Sequence, residues 1–199
     1  MMNVQVLKNG YSYFNEIDLS THADGSISFV TCENFKMIVD TGGAWNQDWL
    51  LRTIDCNSIT HLICTHGHSD HCGNINIFNN LQFCLIGYDC NIGDQFYSNR
   101  LSSGEPLTIP ETDELLILPT PGHVDEHVSV LIKKCTFGNE TEVSVLIAGD
   151  LFEREHDEDV WPLVSRNHVM QRFVRQSIIY EYNPDYIIPG HGKPFKIHK

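Results

Sequence analysis

The sequence predicts an α/β fold, a β-sandwich covered by helices on both outer faces. Three observations predict it. Short β-branched and aromatic runs fall into two blocks along the 199 residues. Helical periodicity follows each block. His or Asp residues beside glycine recur directly after apolar runs, as loops at one rim of a sheet would place them. Apolar residues make up 41% and charged residues 20%, with no internal repeat and no linker, so residues 1–199 read as a single domain.

The elements follow in order. Ser26-Ile27-Ser28-Phe29-Val30 and Phe35-Lys36-Met37-Ile38-Val39 are strand-like runs joined by a turn at Cys32-Glu33-Asn34. The second run stops at Asp40-Thr41-Gly42-Gly43, and residues 45–54 then space their apolar side chains as a helix does. Ile59–Cys64 is the next strand and leads straight into a histidine cluster. Further strands are expected at 82–86, 115–118, 127–132 and 143–148. From Asn167 to Tyr182 a helix carries an apolar stripe of Met170, Phe173, Val174, Ile178 and Tyr182, with His168, Arg172 and Arg175 on another face. Asn183-Pro184 ends it, and a last strand, Tyr186-Ile187-Ile188, runs into Pro189-Gly190-His191-Gly192.

Composition narrows the setting. The net charge is −13, but residues 1–165 carry 7 Lys/Arg against 24 Asp/Glu while residues 166–199 carry 6 against 2. The acidic bulk disfavours nucleic acid and the basic end leaves a local anion-binding surface open. Seven cysteines, an odd number without C-x₂₋₄-C spacing, read as reduced, packed thiols. Neither a signal peptide nor a run of about 18 apolar residues is visible, so cytosol, or else nucleus, is expected, without a membrane partner.

Chemistry is concentrated in Cys64-Thr65-His66-Gly67-His68-Ser69-Asp70-His71. In H-x-H-x-D-H on a tight loop after a strand, His66 and His68 can turn to one ion while Asp70 and His71 point to a second. Imidazole and carboxylate without thiolate suit zinc, iron or manganese. Thr120-Pro121-Gly122-His123, Ala148-Gly149-Asp150 and Pro189-Gly190-His191 each add one ligand-type residue at a strand end, beside a glycine that allows close backbone approach.

The combination THGHSDH…TPGH…AGD…PGHG resembles the metallo-β-lactamase superfamily over essentially the whole chain and in the same order. The resemblance implies the αββα four-layer sandwich and two divalent metal ions, with Zn2+ favoured over Fe or Mn. It implies that His66, His68 and His123 hold the first, Asp70, His71 and His191 the second, and Asp150 bridges them. Two such ions bring a shared water towards a neutral pKa; Asp150 orients them, and Asp70 can accept the water's proton. Asp40 resembles the superfamily's Asp that supports the ligand loop.

Absences narrow the activity. The bridging position holds Asp150, not the Cys of the commonest lactamases, and Cys72 after His71 reads as a packed thiol. Eight residues follow His191 and 40 separate it from Asp150, too few for the added domains of glyoxalase II-type thioesterases or of polyadenylation-type nucleases. The stretch Gly149–Trp161 resembles a compact branch of the superfamily described as dimeric endoribonucleases that trim histone pre-mRNA at its 3′ end. That implies an RNA substrate and a homodimer. Lys193 and Lys196, with Lys199 beyond, are expected to help position a phosphate, and Arg172 and Arg175 could add contacts. The acidic run 153–159 is expected to be solvated or to hold a loop. His127 and His156 are candidate proton donors. The competing reading is a small-molecule hydrolase of the glyoxalase II kind, acting on thioesters, lactones or lactams, which suits the overall acidity.

Overall fold

The computed structural model describes residues 1–198. Its first half contains β1 (Met2–Lys8), β2 (Tyr11–Asn15), β3 (Ser20–Asp24), β4 (Ile27–Thr31), β5 (Lys36–Val39), α1 (Gln47–Thr53), β6 (His61–Cys64), α2 (Ser69–Cys72), β7 (Phe83–Ile86), β8 (Asp89–Ile92) and β9 (Gln95–Tyr97). The second contains β10 (Leu107–Ile109), β11 (Thr112–Pro119), β12 (Val128–Phe137), β13 (Glu140–Gly149), α3 (Trp161–Val164), α4 (His168–Tyr182), β14 (Tyr186–Pro189) and β15 (Phe195–Lys196).

Strand pairing runs β15-β14-β13-β12-β1-β4-β5-β6-β7-β8-β9, with β11 also on β12 and β10 on β11. The two expected sheets are therefore one hydrogen-bonded sheet, joined where β1 pairs parallel to β12 through Met2↔Cys135. Side chains still divide it into two packed layers, because a strand sends alternate residues to opposite faces. Val39, Ile63 and Leu85 of the first half meet Ile117, Val130, Val145 and Ile188 of the second in one buried cluster. Their neighbours Ile38, Leu62 and Cys64 point outwards to Leu50 of α1. Leu131, Leu146 and Ile187 point outwards to Val174 and Ile178 of α4. This is the αββα layering of the metallo-β-lactamase fold.

Three details depart from the sequence expectations. The strands expected at 127–132 and 143–148 extend to a hairpin of two ten-residue strands, β12 and β13, whose far ends carry the exposed Lys133, Lys134 and Glu140. Met170 and Phe173 of the expected stripe on α4 are 41% and 65% exposed, and the polar Gln171 is buried instead. Within the first forty residues, which read as strands, the hairpin of β2 and β3 stands apart and, among the described residues, pairs only with itself.

Candidate metal centre

The ligand-type residues all leave the ends of strands at one rim. β6 ends at Cys64, and the chain turns through Thr65-His66-Gly67-His68 into α2. Asp40, directly after β5, has φ +58, a conformation that Asp tolerates better than most residues. From there its Oδ1 accepts from Thr65 N (2.7 Å) and its Oδ2 from Thr65 Oγ1 (3.0 Å). At the end of β13, Gly149 has φ +53, and a Cβ there would meet Thr65 Oγ1 at 2.6 Å; the turn that delivers Asp150 needs glycine. Gln171 Nε2 donates to the carbonyls of Asp150 (2.8 Å) and Leu151 (3.2 Å), so α4 clamps that turn from outside.

Two groups result. One ligand atom from each of His66, His68, His123 and Asp150 lies within 4.8 Å of the others, and the same holds for Asp70, His71 and His191. In the first group His68 Nδ1 is 2.8 Å from His66 Nε2 and 3.1 Å from His123 Nε2. Asp150 Oδ2 is 3.6 Å from His66 Nε2 and 3.2 Å from His123 Nε2. In the second, Asp70 Oδ2 is 3.9 Å from His71 Nε2 and 3.7 Å from His191 Nε2. Asp150 reaches this group too, with Oδ1 3.1 Å from His71 Nε2 and Oδ2 3.3 Å from His191 Nε2.

These donors fit a pair of divalent cations. Ligands about 2.0–2.1 Å from one tetrahedral zinc lie about 3.3 Å apart, close to the spacings seen. His71 Nε2 and Asp150 Oδ1 are buried without a hydrogen bond although they face each other. Three of the nitrogens turned away from the groups are engaged. His66 Nδ1 is 3.1 Å from Thr65 Oγ1, His71 Nδ1 is 2.8 Å from Asp40 Oδ2, and His191 Nδ1 is 3.1 Å from the Asp24 carbonyl. Ring orientation is thus set before any ion arrives.

Burial and charge divide the imidazoles. Burial holds His66 well below the usual histidine range and His123 down to about 4, the neutral form that ligates metals. Burial also opposes charge on His71 and His191, but the charge and hydrogen bonding of Asp150, joined by Asp40 at His71 and Glu153 at His191, together override it. His71 is held well above its usual value and His191 at about 9. Burial favours protonated Asp150, yet His71, His191 and His66 together keep it well below the usual carboxylate range.

The remaining expected residues divide. Lys193 is exposed two residues beyond His191. Lys196 is elsewhere: it is level with Tyr186 at the start of β14, and its Nζ bonds both Glu140 oxygens at 3.0 Å, at the far end of β13 from Asp150. The antiparallel return of β15 carries it away from the rim, so it does not serve the site. Lys199 lies outside the described residues. Arg175 is no surface cation; it bonds both oxygens of the buried Asp157 and stacks on Phe152. Arg172 lies against Trp161. His156 is 88% exposed, whereas His127 is fully buried with its ring centroid 5.1 Å from that of His66. Cys72 is half-buried and belongs to neither ligand group.

Sequence reasoning missed Glu153. It belongs to the acidic run, yet it is 3% exposed and joins Asp150 and His191 in a third ligand-type group. Burial, then the nearby Asp150 charge, pushes its carboxyl up to about 8. The available signal was its place three residues after Asp150, with apolar Leu151 and Phe152 between. A cleft of about 400 Å³ opens beside His68, lined by Gly67, Gly87, Asp89, Asp125, Glu126 and Arg166 among others.

Comparison with known proteins gives the family and the fold. The sequence profile of the metallo-β-lactamase superfamily matches residues 21–88. Metallo-β-lactamase domain-containing protein 1 of Xenopus laevis is 37% identical over 99% of this chain and 82% of its own length. Its Rattus norvegicus counterpart is 33% identical over 96% and 76%. Among solved structures, a metallo-β-lactamase-type protein of Thermotoga maritima superposes with a TM-score of 0.66 at 19% identity, covering 98% of this chain and 99% of that one. An N-acyl homoserine lactone hydrolase, with product at its catalytic metal centre, superposes with a TM-score of 0.61 at 15% identity, covering 96% and 92%. The chain belongs to the metallo-β-lactamase superfamily, within the family of metallo-β-lactamase domain-containing protein 1.

Proposed function

We propose that this hydrolase is a dinuclear, zinc-dependent phosphodiesterase that cleaves single-stranded RNA, with histone pre-mRNA 3′ ends as its candidate substrate. The observation that carries the dinuclear part is Asp150, whose carboxylate reaches histidines of both ligand groups. His66, His68 and His123 would hold one ion, Asp70, His71 and His191 the other, with Asp150 between. When bound, two divalent cations supply Lewis acidity and bring a water's pKa towards neutrality. Asp70 is the open carboxylate of the set, its side chain 17% exposed, and is placed to take up the proton of an attacking water. Asp40 fixes the rings of His66 and His71 from behind. Arg166 lines the cleft beside His68 and Lys193 is exposed two residues beyond His191, and both are offered to a phosphate. The RNA assignment is supported by the family and by the motif from Gly149 to Trp161; a homodimer is proposed on the same ground.

A second reading has one observation in its favour. The cleft beside His68 sets Asp89, Asp125 and Glu126 against Arg166 alone, which repels a polyanion and suits a neutral thioester or lactone. Elemental analysis followed by turnover of single-stranded RNA and of a generic thioester, with Asp150→Ala as blank, tests both. Two zinc ions per chain and RNA cleavage lost in the blank support the first reading. Thioester turnover without RNA cleavage replaces it with the second.

A further inference from the structure

The run Gly149–Trp161 holds a group that the ligand set does not use. We infer that Glu153 is a positioning residue of the metal centre: its carboxylate accepts the Nδ1 proton of His123 and so turns Nε2 of that ring towards the first ion. The inference rests on the dinuclear reading and adds a residue to it.

Four of the proposed ligand histidines have an inward nitrogen that meets Asp150 and an outer one. Three outer nitrogens have a hydrogen-bonding partner in Thr65, Asp40 or Asp24. The fourth, His123 Nδ1, is buried without one, and so is Glu153 Oε1; the two face each other at 3.7 Å. Two orphaned buried groups of opposite hydrogen-bonding character are completed by each other. Closing the gap to a charge-assisted bond of about 2.8 Å takes a side-chain shift of about 1 Å. Metal-ligating histidines commonly give their outer N–H to a carboxylate, which fixes the tautomer and makes the ring a better ligand.

The backbone around Glu153 is built to hold it. Its N–H donates to Asp157 Oδ2 (2.8 Å), and its carbonyl accepts from His191 N (2.8 Å). Asp157 is in turn gripped by Arg175, whose guanidinium lies 4.1 Å from the Phe152 ring centroid and 4.8 Å from that of Trp161. The acidic run is therefore a scaffold: Asp157 anchors the loop, and Glu153 is its inward product. No Lys or Arg is paired with Glu153 among the described residues, so the charge that compensates it comes from the centre itself.

The test uses the full chain, Glu153→Gln and Glu153→Ala. Zinc affinities are measured by chelator competition, and histidine tautomers by long-range 1H–15N spectra of the zinc-loaded protein. The parent should show a slowly exchanging His123 Nδ1 proton. In the isosteric Gln variant that proton should shift upfield, and zinc affinity at the His66/His68/His123 group should fall about tenfold or more. The Ala variant should lose the proton signal to exchange; if it does not fold, the Gln variant decides. Affinities within twofold of the parent and an unmoved His123 signal overturn the inference. A loss confined to the Asp70/His71/His191 group overturns it too, making Glu153 a direct ligand there. A lowered unfolding midpoint in chelator with unchanged zinc affinity leaves only a structural role and also overturns it. A parent chain that binds no zinc refutes the dinuclear reading itself, which is a separate result.

Discussion

Asp40→Asn changes one atom, and its effect on the metal centre can be worked through. As a carboxylate, Asp40 only accepts, so Thr65 N, Thr65 Oγ1 and His71 Nδ1 must all donate to it. Thr65 Oγ1, having donated, accepts from His66 Nδ1. One carboxylate thus sets Nε2 free for metal on a histidine of each group. An asparagine offers one oxygen and one NH2. With the oxygen on Thr65 N, the NH2 faces His71 Nδ1 and Thr65 Oγ1, which favours the wrong tautomer in both rings. With the amide flipped, the NH2 opposes the buried Thr65 N–H instead, at about 1–3 kcal/mol. That penalty sets the scale of the loss: about tenfold to a hundredfold in zinc affinity, at about 1.4 kcal/mol per factor of ten. The metal-free variant should also lose about 2 kcal/mol, because charge-assisted bonds become neutral ones. Asn tolerates the positive φ, so backbone strain does not confuse the comparison. Chelator competition and urea unfolding in chelator read the two effects. A variant that binds zinc within twofold of the parent would refute the tautomer argument.

Three further outcomes are expected. Gly190→Ala should fold but bind zinc poorly, because its Cβ would lie 1.9 Å from Asp150 Oδ1; elemental analysis showing two ions would contradict this. Arg175→Ala should cost about 3 kcal/mol in urea unfolding, because it strands the buried Asp157, and Arg175→Lys should not restore the loss since the two-point contact and ring stacking need a guanidinium. The metal-free chain should weaken on acidification from pH 6.5 towards 4.5. His66, His123 and His127 (the last held down to about 3 by burial) have depressed folded pKa values, so their stabilising contribution is present above 6.5 and lost as pH falls. Glu153, raised to about 8, acts in the opposite sense over the same window. His61, also lowered by burial, adds to the same sense as the other histidines, so a net uptake of about two to three protons on unfolding gives a slope of about 4 kcal/mol per pH unit at most. Urea midpoints that stay flat from pH 6.5 to 5 would contradict the assignment.

Legibility in the sequence followed locality. The His66–His71 cluster is contiguous, and an apolar strand aims it, so its chemistry could be read from spacing. Asp40 could be placed at a strand end ahead of a glycine pair, but its supporting role came from the resemblance to the superfamily. Glu153 and Gln171 were not, because each is a polar residue whose burial is decided by a distant partner. Gln171 takes a core position on α4 to hold the Asp150 turn, and that displaces the expected stripe and leaves Met170 and Phe173 in solvent. Lys196 stands five residues after His191, yet strand β15 reverses direction between them. Register, set by tertiary pairing, separated what sequence distance placed together. The β12–β13 hairpin outran its expected ends because the charged pair Lys133-Lys134 interrupts the apolar pattern before buried Cys135, and Glu140-Thr141-Glu142 opens β13 with polar, exposed residues.

The ligands come from opposite halves of the sandwich. His66, His68, Asp70 and His71 belong to the first layer, and His123, Asp150 and His191 to the second. Among the described residues, the only strand pairing between the layers is the short one of β1 with β12. A bound ion therefore acts as a rivet between two plates held otherwise by apolar contact, that pairing and a few hydrogen bonds at the rim, such as Ser26 N to the Gly190 carbonyl and Val128 N to the Thr65 carbonyl. Zinc should slow the separation of the plates more than it speeds their meeting, since all its ligands converge only once both are in place. Chelation would then shorten the lifetime of the native state as well as silence its chemistry.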